Sequence, residues 1–189
     1  MVTETREKMV RTAALLLAKR GLQGASFSEV LAASGAPRGS IYHHFPEGKD
    51  QLVAEALALA QARAMDELER HRGESAPDVA RAFVQLWRDV LSASDFSAGC
   101  AVVAVTVAAD AEPLVEKAAA VFREWQGILT DLLATGGVPS ARAASLASLL
   151  IAASEGAVIV ARAEGAIDRF DAVAEELVEV VAAAGEVSG

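Results

Sequence analysis

The chain has 189 residues, of which 53% are hydrophobic and only 5% aromatic, with 26 Asp/Glu against 17 Lys/Arg and a net charge of −9. Apolar content drawn mainly from Ala, Val and Leu can fill a sizeable core of closely packed helices. The uncharged runs Phe96–Ala109 and Ala143–Ser154 fall short of the ~18–20 residues of a membrane span, the charged start (Glu4, Arg6, Glu7, Lys8) lacks a signal-peptide core, and a single cysteine, Cys100, excludes an intramolecular disulfide, so a soluble cytoplasmic protein is expected.

The charge is unevenly spread. Residues 1–52 carry seven Lys/Arg against five Asp/Glu, a sum of +2, while residues 53–189 carry ten against twenty-one, a sum of −11. An acidic bulk repels nucleic acid, and a mildly basic N-terminal part tolerates or attracts it. The chain is therefore expected to divide into an N-terminal domain, 1–52, and a larger helical domain, 53–189.

In chain order, Thr3 to Arg20 reads as a helix, with Val10, Ala13, Ala14 and Leu17 at helical spacing and Gly21 and Gly24 ending it. Ser26 with Glu29 is a capping box that opens a second helix near 28–34, and Gly35 can take the left-handed conformation that stops it. Pro37 then fixes its dihedral near the start of a third helix, about 38–44. Helix, glycine turn and short second helix is the layout of a helix-turn-helix DNA reader.

Pro46-Glu47-Gly48 breaks the chain. Lys49 to His71 reads as a long amphipathic helix burying Leu52, Val53, Ala56, Leu59, Ala60 and Leu68. Ser75 with Asp78 caps the next, which runs to about Ser94 with Val79, Phe83, Leu86, Trp87, Val90 and Leu91 inward. Gly99 to Ala109 is valine-rich, yet helix is expected, because no second strand candidate exists to pair with it. Further helices are expected over Glu112 to Ala134, with Val115, Ala118, Ala119, Phe122, Trp125, Ile128 and Leu129 inward, over Ser140 to Ala163, and from Asp168, capped with Asp171, to about Ala183. The prediction is an all-α protein of about nine helices.

Gly35-Ala36-Pro37-Arg38-Gly39-Ser40-Ile41-Tyr42-His43-His44-Phe45, followed by Gly48-Lys49-Asp50-Gln51-Leu52, resembles the signature of the TetR family of bacterial transcriptional regulators, over residues 6 to about 53. Gly99-Cys100-Ala101-Val102 and Ser154-Glu155-Gly156-Ala157 with Ala161-Arg162-Ala163 are similar to the C-terminal domain of the subgroup that includes lincomycin-resistance repressors. The family pattern often has valine where Ala36 stands and serine or threonine where Pro37 stands. Pro37 has no side-chain donor for a phosphate.

In a helix-turn-helix the second helix lies in the major groove with its first residues nearest the bases. Arg38 is long enough to reach guanine or phosphate, Gly39 and Ser40 let the helix start approach the backbone, and His43 can reach a base edge or phosphate. The resemblance implies Tyr42, His44 and Lys49 as backbone clamps, and Ser26 and Ser28 complete the expected DNA-facing set. Ile41 and Phe45 read as core. The resemblance also implies a cavity for a small, apolar effector among the C-terminal helices, with Phe83, Trp87, Cys100, Val103, Phe122, Trp125, Leu129 and Glu155 as candidate lining.

Each of these residues also has a plainer reading. Phe83, Trp87, Phe122 and Trp125 at helical spacing are ordinary core, Glu155 a buried polar group, and Cys100 a small buried hydrophobe. His43 and His44 point about 100° apart and lack a Cys, Asp or Glu partner at ligand spacing, so no metal is expected, and no cofactor. No catalytic motif is present, so an enzyme is not expected. Leu146, Leu149, Leu150, Ile151, Val158, Ile159 and Val160 make the penultimate helix apolar around most of its circumference, which predicts a two-fold homodimer through the last two helices. The sequence thus reads as a ligand-responsive repressor that binds a palindromic double-stranded operator as a dimer and meets no membrane. The alternatives are a helical small-molecule binding protein without operator reading and a helical-bundle enzyme.

Overall fold

The computed structural model describes residues 2–186, and side chains over 4–185. Among the described residues there are nine helices and no strand: α1 (Val2–Gly24), α2 (Phe27–Ser34), α3 (Ser40–His44), α4 (Lys49–Glu69), α5 (Ala76–Ala93), α6 (Ala101–Ala108), α7 (Glu112–Thr135), α8 (Ser140–Glu164) and α9 (Asp168–Glu186). They fall into two compact units. One takes the chain up to Arg63 together with Cys100–Phe122, and the other takes Ala64–Gly99 with the chain from Arg123 onward.

In the first unit α1 packs on α2 and α6. Gly21, with φ 68° and ψ −169°, interrupts the helical path of α1, so the chain continues helical to Gly24 in a new direction instead of stopping near Arg20. Ser26 caps α2 by accepting the Glu29 N–H at 3.3 Å. The reciprocal half of the box is absent because the Glu29 carboxylate turns to Arg20 at 3.0 Å instead. Gly35, left-handed at φ 67°, ends α2 and donates its N–H to the Leu31 carbonyl at 2.9 Å. Met9, Ala13, Leu17, Val30, Ile41, Phe45, Leu52, Val53 and Ala56 form the core of this unit. The valine-rich 101–108 segment is helical, with Val102 and Val105 buried and Val107 exposed. The Cys100 thiol caps it, accepting the Val103 N–H at 3.4 Å.

In the second unit α5, α8 and α9 pack against one another. Ser75 caps α5, and its hydroxyl also donates to the Asp78 carboxylate, which holds that carboxyl below the usual carboxylate range, with Arg81 adding to the effect. The Arg88 guanidinium grips Asp171 with two bonds, Nε to Oδ1 at 2.8 Å and Nη2 to Oδ2 at 3.2 Å. Asp171 therefore joins α5 to α9 and does not cap α9, contrary to the sequence reading. Several inward assignments also shift: Val115 is exposed, Leu59, Ala60, Leu86, Val90, Ala119, Phe122 and Ile128 are only half-buried, and Leu114, Val121, Leu132 and Leu133 are core instead. The helix closing each stretch sets its own rotation, which spacing alone leaves free by a residue either way.

α8 is 25 residues long and is apolar enough, by length and composition alone, to cross a membrane, which uncharged runs did not reveal. Half of that stretch is buried inside the protein. Ser154 and Glu155 lie buried at its centre, where hydrocarbon exposure of a carboxylate is costly.

Candidate nucleic-acid interface

The reading segment starts with an unusual turn. Pro37, expected near the start of the third helix, lies three residues ahead of it, and Arg38 and Gly39 occupy a turn closed by the Ser40 N–H on the Pro37 carbonyl at 3.0 Å. The Ser40 hydroxyl donates to the same carbonyl at 2.7 Å, so it holds the turn. The helix is consequently five residues long, Ser40–His44, and begins two residues later than the sequence suggests. Proline disfavours the α conformation in the residue before it and leaves the following residues free to turn.

Two faces of α3 separate cleanly. Ile41 and Phe45 are fully buried, as their apolar character predicts, and anchor the segment. On the other side Tyr42 is 70% exposed, and Arg38, Gly39 and His43 are exposed with it. Lys49, half-buried, begins α4. Ser28 is exposed and Ser26 half-buried, 3.0 Å apart through their hydroxyls at the start of α2. His44 departs from the expected set. It is only 9% exposed, edge-on to the rings of His43 and Phe45, so packing claims most of its imidazole.

The structure adds residues that local spacing could not single out. The Phe27 ring meets the Tyr42 ring edge-to-face, 5.5 Å between centroids at 80°, and lies 6.5 Å from Phe45. The Arg6 guanidinium sits 5.3 Å over Phe45 and pairs with Glu55 of α4 at 2.5 Å. These partners are up to 49 positions apart, and no sequence signal joins them.

The candidate effector residues divide between the units. Phe83, Trp87, Trp125, Leu129 and Glu155 belong to the second, where the two indoles meet at 6.0 Å and 63° and Glu155 is 8% exposed. Cys100, Val103 and Phe122 belong to the first; Cys100 is buried, and the other two are half-buried. Among the described residues no three His, Cys, Asp or Glu side chains come together as metal ligands.

Comparison with known proteins gives this arrangement its setting. Residues 10–56 match the family described as bacterial regulatory proteins, tetR family, and residues 76–176 match the C-terminal domain of LmrA/YxaF-like transcriptional regulators. An uncharacterized helix-turn-helix-type transcriptional regulator of Mycobacterium tuberculosis is 37% identical over 179 residues, covering 91% of both chains. The transcriptional regulator LmrA of Bacillus subtilis is 29% identical over 166 residues, covering 83% of this chain and 86% of its own. The crystal structure of a TetR regulator from Chloroflexus aurantiacus superposes with a TM-score of 0.80 at 29% identity, covering 96% of each chain. Family regulators bind DNA operators and form dimers. The chain belongs to the TetR family of transcriptional regulators, with a C-terminal domain of the LmrA/YxaF-like kind, and is a DNA-binding regulator and not an enzyme.

Proposed function

We propose that the chain acts in the cytoplasm as a repressor: a homodimer joined through α8 and α9 holds a palindromic operator and releases it when a small, apolar effector binds. The observation that carries this reading is the division of the segment 38–45, α3 with its flanking residues: Ile41 and Phe45 are buried, and Tyr42, His43 and Arg38 are presented outward. A helix fixed by its inner face and polar on its outer face suits the major groove.

In this reading residues 1–52 form the DNA-binding domain and 53–189 the effector and dimerisation domain. Arg38 and His43 read base edges or phosphate, Tyr42 and Lys49 hold the backbone, and the small Gly39 allows close approach. Ser26, Ser28 and Ser40 contribute at the helix starts. His44 contributes mainly by packing, given its burial.

The dimer assignment rests on apolar side chains left open along α8 and α9. Leu149 is 43% exposed, Ile159 56% and Val160 42%, with Val180 also open on α9. Ser145, Ala152, Gly156 and Ala163 are exposed at the intervening three- and four-residue steps, so small residues flank the large ones along one stripe of α8. A two-fold partner would bury that stripe against its own copy. The two copies of α3 then call for half-sites about one helical turn apart. For the effector, Phe83, Trp87, Trp125 and Leu129 offer an apolar aromatic lining within one unit and Glu155 a polar group; Cys100, Val103 and Phe122 fall outside that unit.

The test is a mobility shift with DNA from upstream of the gene itself, at two salt concentrations. A salt-sensitive, sequence-specific shift is expected. No such shift would favour a small-molecule binding protein that no longer reads an operator.

A further inference from the structure

We propose that Phe27 is a positioning residue for operator binding: its ring holds the exposed ring of Tyr42 in the orientation that meets DNA, and it is itself braced through Phe45 by Arg6 and Glu55. This rests on the reading of Tyr42 as a DNA contact. Tyr42 stands on a helix of five residues, and 70% of its surface is open. A ring so placed exchanges between rotamers unless a neighbour restricts it, and each rotamer lost on binding weakens the complex.

The neighbour is Phe27. Its edge-to-face contact with Tyr42, 5.5 Å at 80°, is the arrangement that aromatic quadrupoles favour. Phe27 opens α2, where the Ser26 cap fixes the backbone. Its other side faces Phe45, which is fully buried at 6.5 Å. Phe45 in turn lies under the Arg6 guanidinium, and Arg6 is tied to Glu55 on α4. The series therefore runs from α4 and α1 through the core of the unit to one exposed ring. All five side chains lie in the same compact unit. The backbone of α3 places Tyr42, and the Phe27 ring restricts the rotamer its side chain takes beyond that.

The experiment is a double-mutant cycle of Phe27→Leu and Tyr42→Ala, read as affinity for operator DNA, with a ring resonance as second readout. Tyr42 is the single tyrosine of the chain, so labelled tyrosine gives one assignable ring signal. Phe27→Leu is expected to weaken binding about three- to tenfold in the wild-type background, and to add nothing once Tyr42 is alanine. It should also move the Tyr42 ring signal in the free protein. Phe27→Tyr keeps a ring in place and should bind like wild type. Equal losses in both backgrounds, or an unmoved ring signal, would overturn the positioning role, since Phe27 would then act by itself. Phe27→Tyr binding as weakly as Phe27→Leu would overturn it too. Tyr42→Ala binding like wild type would remove the underlying contact, and the proposal with it, an outcome distinct from the others. Should Phe27→Leu not fold, Phe27→Met replaces it in the cycle.

Discussion

Ile159→Ala tests the dimer face directly. Ile159 keeps 56% of its surface open, so roughly half of its burial free energy is left for a partner. Full burial of such a side chain is worth about 1.5–3 kcal/mol, which leaves roughly 1 kcal/mol to be gained on assembly. A two-fold axis uses the residue twice, so the dimer should lose about 2 kcal/mol, or about thirtyfold in dissociation constant. Sedimentation equilibrium over a range of protein concentrations measures this. Leu15→Ala is the comparison, because Leu15 is similarly open at 53% but belongs to α1, which is no part of the proposed interface, and it should leave the dissociation constant unchanged. A variant Ile159→Ala that dimerises as tightly as wild type, with Leu15→Ala also unchanged, would refute the assignment of this face.

Lys49→Ala should flatten the salt dependence of operator binding. Each lost phosphate contact removes about 0.9 from the slope of log K against log salt, so two copies remove about 1.8; a filter-binding titration from 50 to 200 mM salt that keeps the wild-type slope would exclude the contact. Gly136→Ala should destabilise the protein by about 1–3 kcal/mol in thermal unfolding, because a Cβ there would stand 2.5 Å from the Ala76 nitrogen and 2.8 Å from the Glu74 carbonyl oxygen, and backbone cannot move aside as a side chain can. Gly99→Ala makes the contrast, as its Cβ would meet the Arg162 side chain, Nη1 at 2.7 Å and Cδ at 3.1 Å, which can rotate aside, so the loss should be smaller than for Gly136→Ala. Stability should also fall with acid through Asp78. Its carboxyl is held down in the folded chain by the Ser75 hydroxyl and by Arg81, so the contribution is complete above the ordinary carboxylate value and lost as pH falls through the lowered one. Asp78→Asn should reduce that acid sensitivity, and an unaltered unfolding profile below the carboxylate range would contradict the linkage.

Much of the helical plan is local chemistry and is therefore written in local residues. Ser26, Gly35 and Ser75 act where they stand, because a cap or a left-handed turn needs only its nearest neighbours, and the helix limits from α4 to α9 follow within a few residues. The Gly35–Phe45 motif likewise separates Ile41 and Phe45 from Tyr42 and His43 by helical spacing alone. Where the reading slipped, a distant partner had intervened. Glu29 pairs with Arg20 instead of closing its capping box, and Asp171 pairs with Arg88 instead of capping α9. The start of α3 moved because Pro37 and the Ser40 hydroxyl build a turn whose hydrogen bonds the residue types permit but do not require.

The sequence by itself determined most of the helical plan, the caps at Ser26 and Ser75, the outward face of the reading helix and the family, since these rest on contacts within a few residues or on a contiguous motif. Only the tertiary structure decided that Phe27 lies against Tyr42, that Arg6 reaches Phe45 and Glu55, and which side chains of α8 stay open. Those contacts depend on the angles at which separate helices cross. Such angles come from the packing of whole faces, which no single stretch of chain encodes.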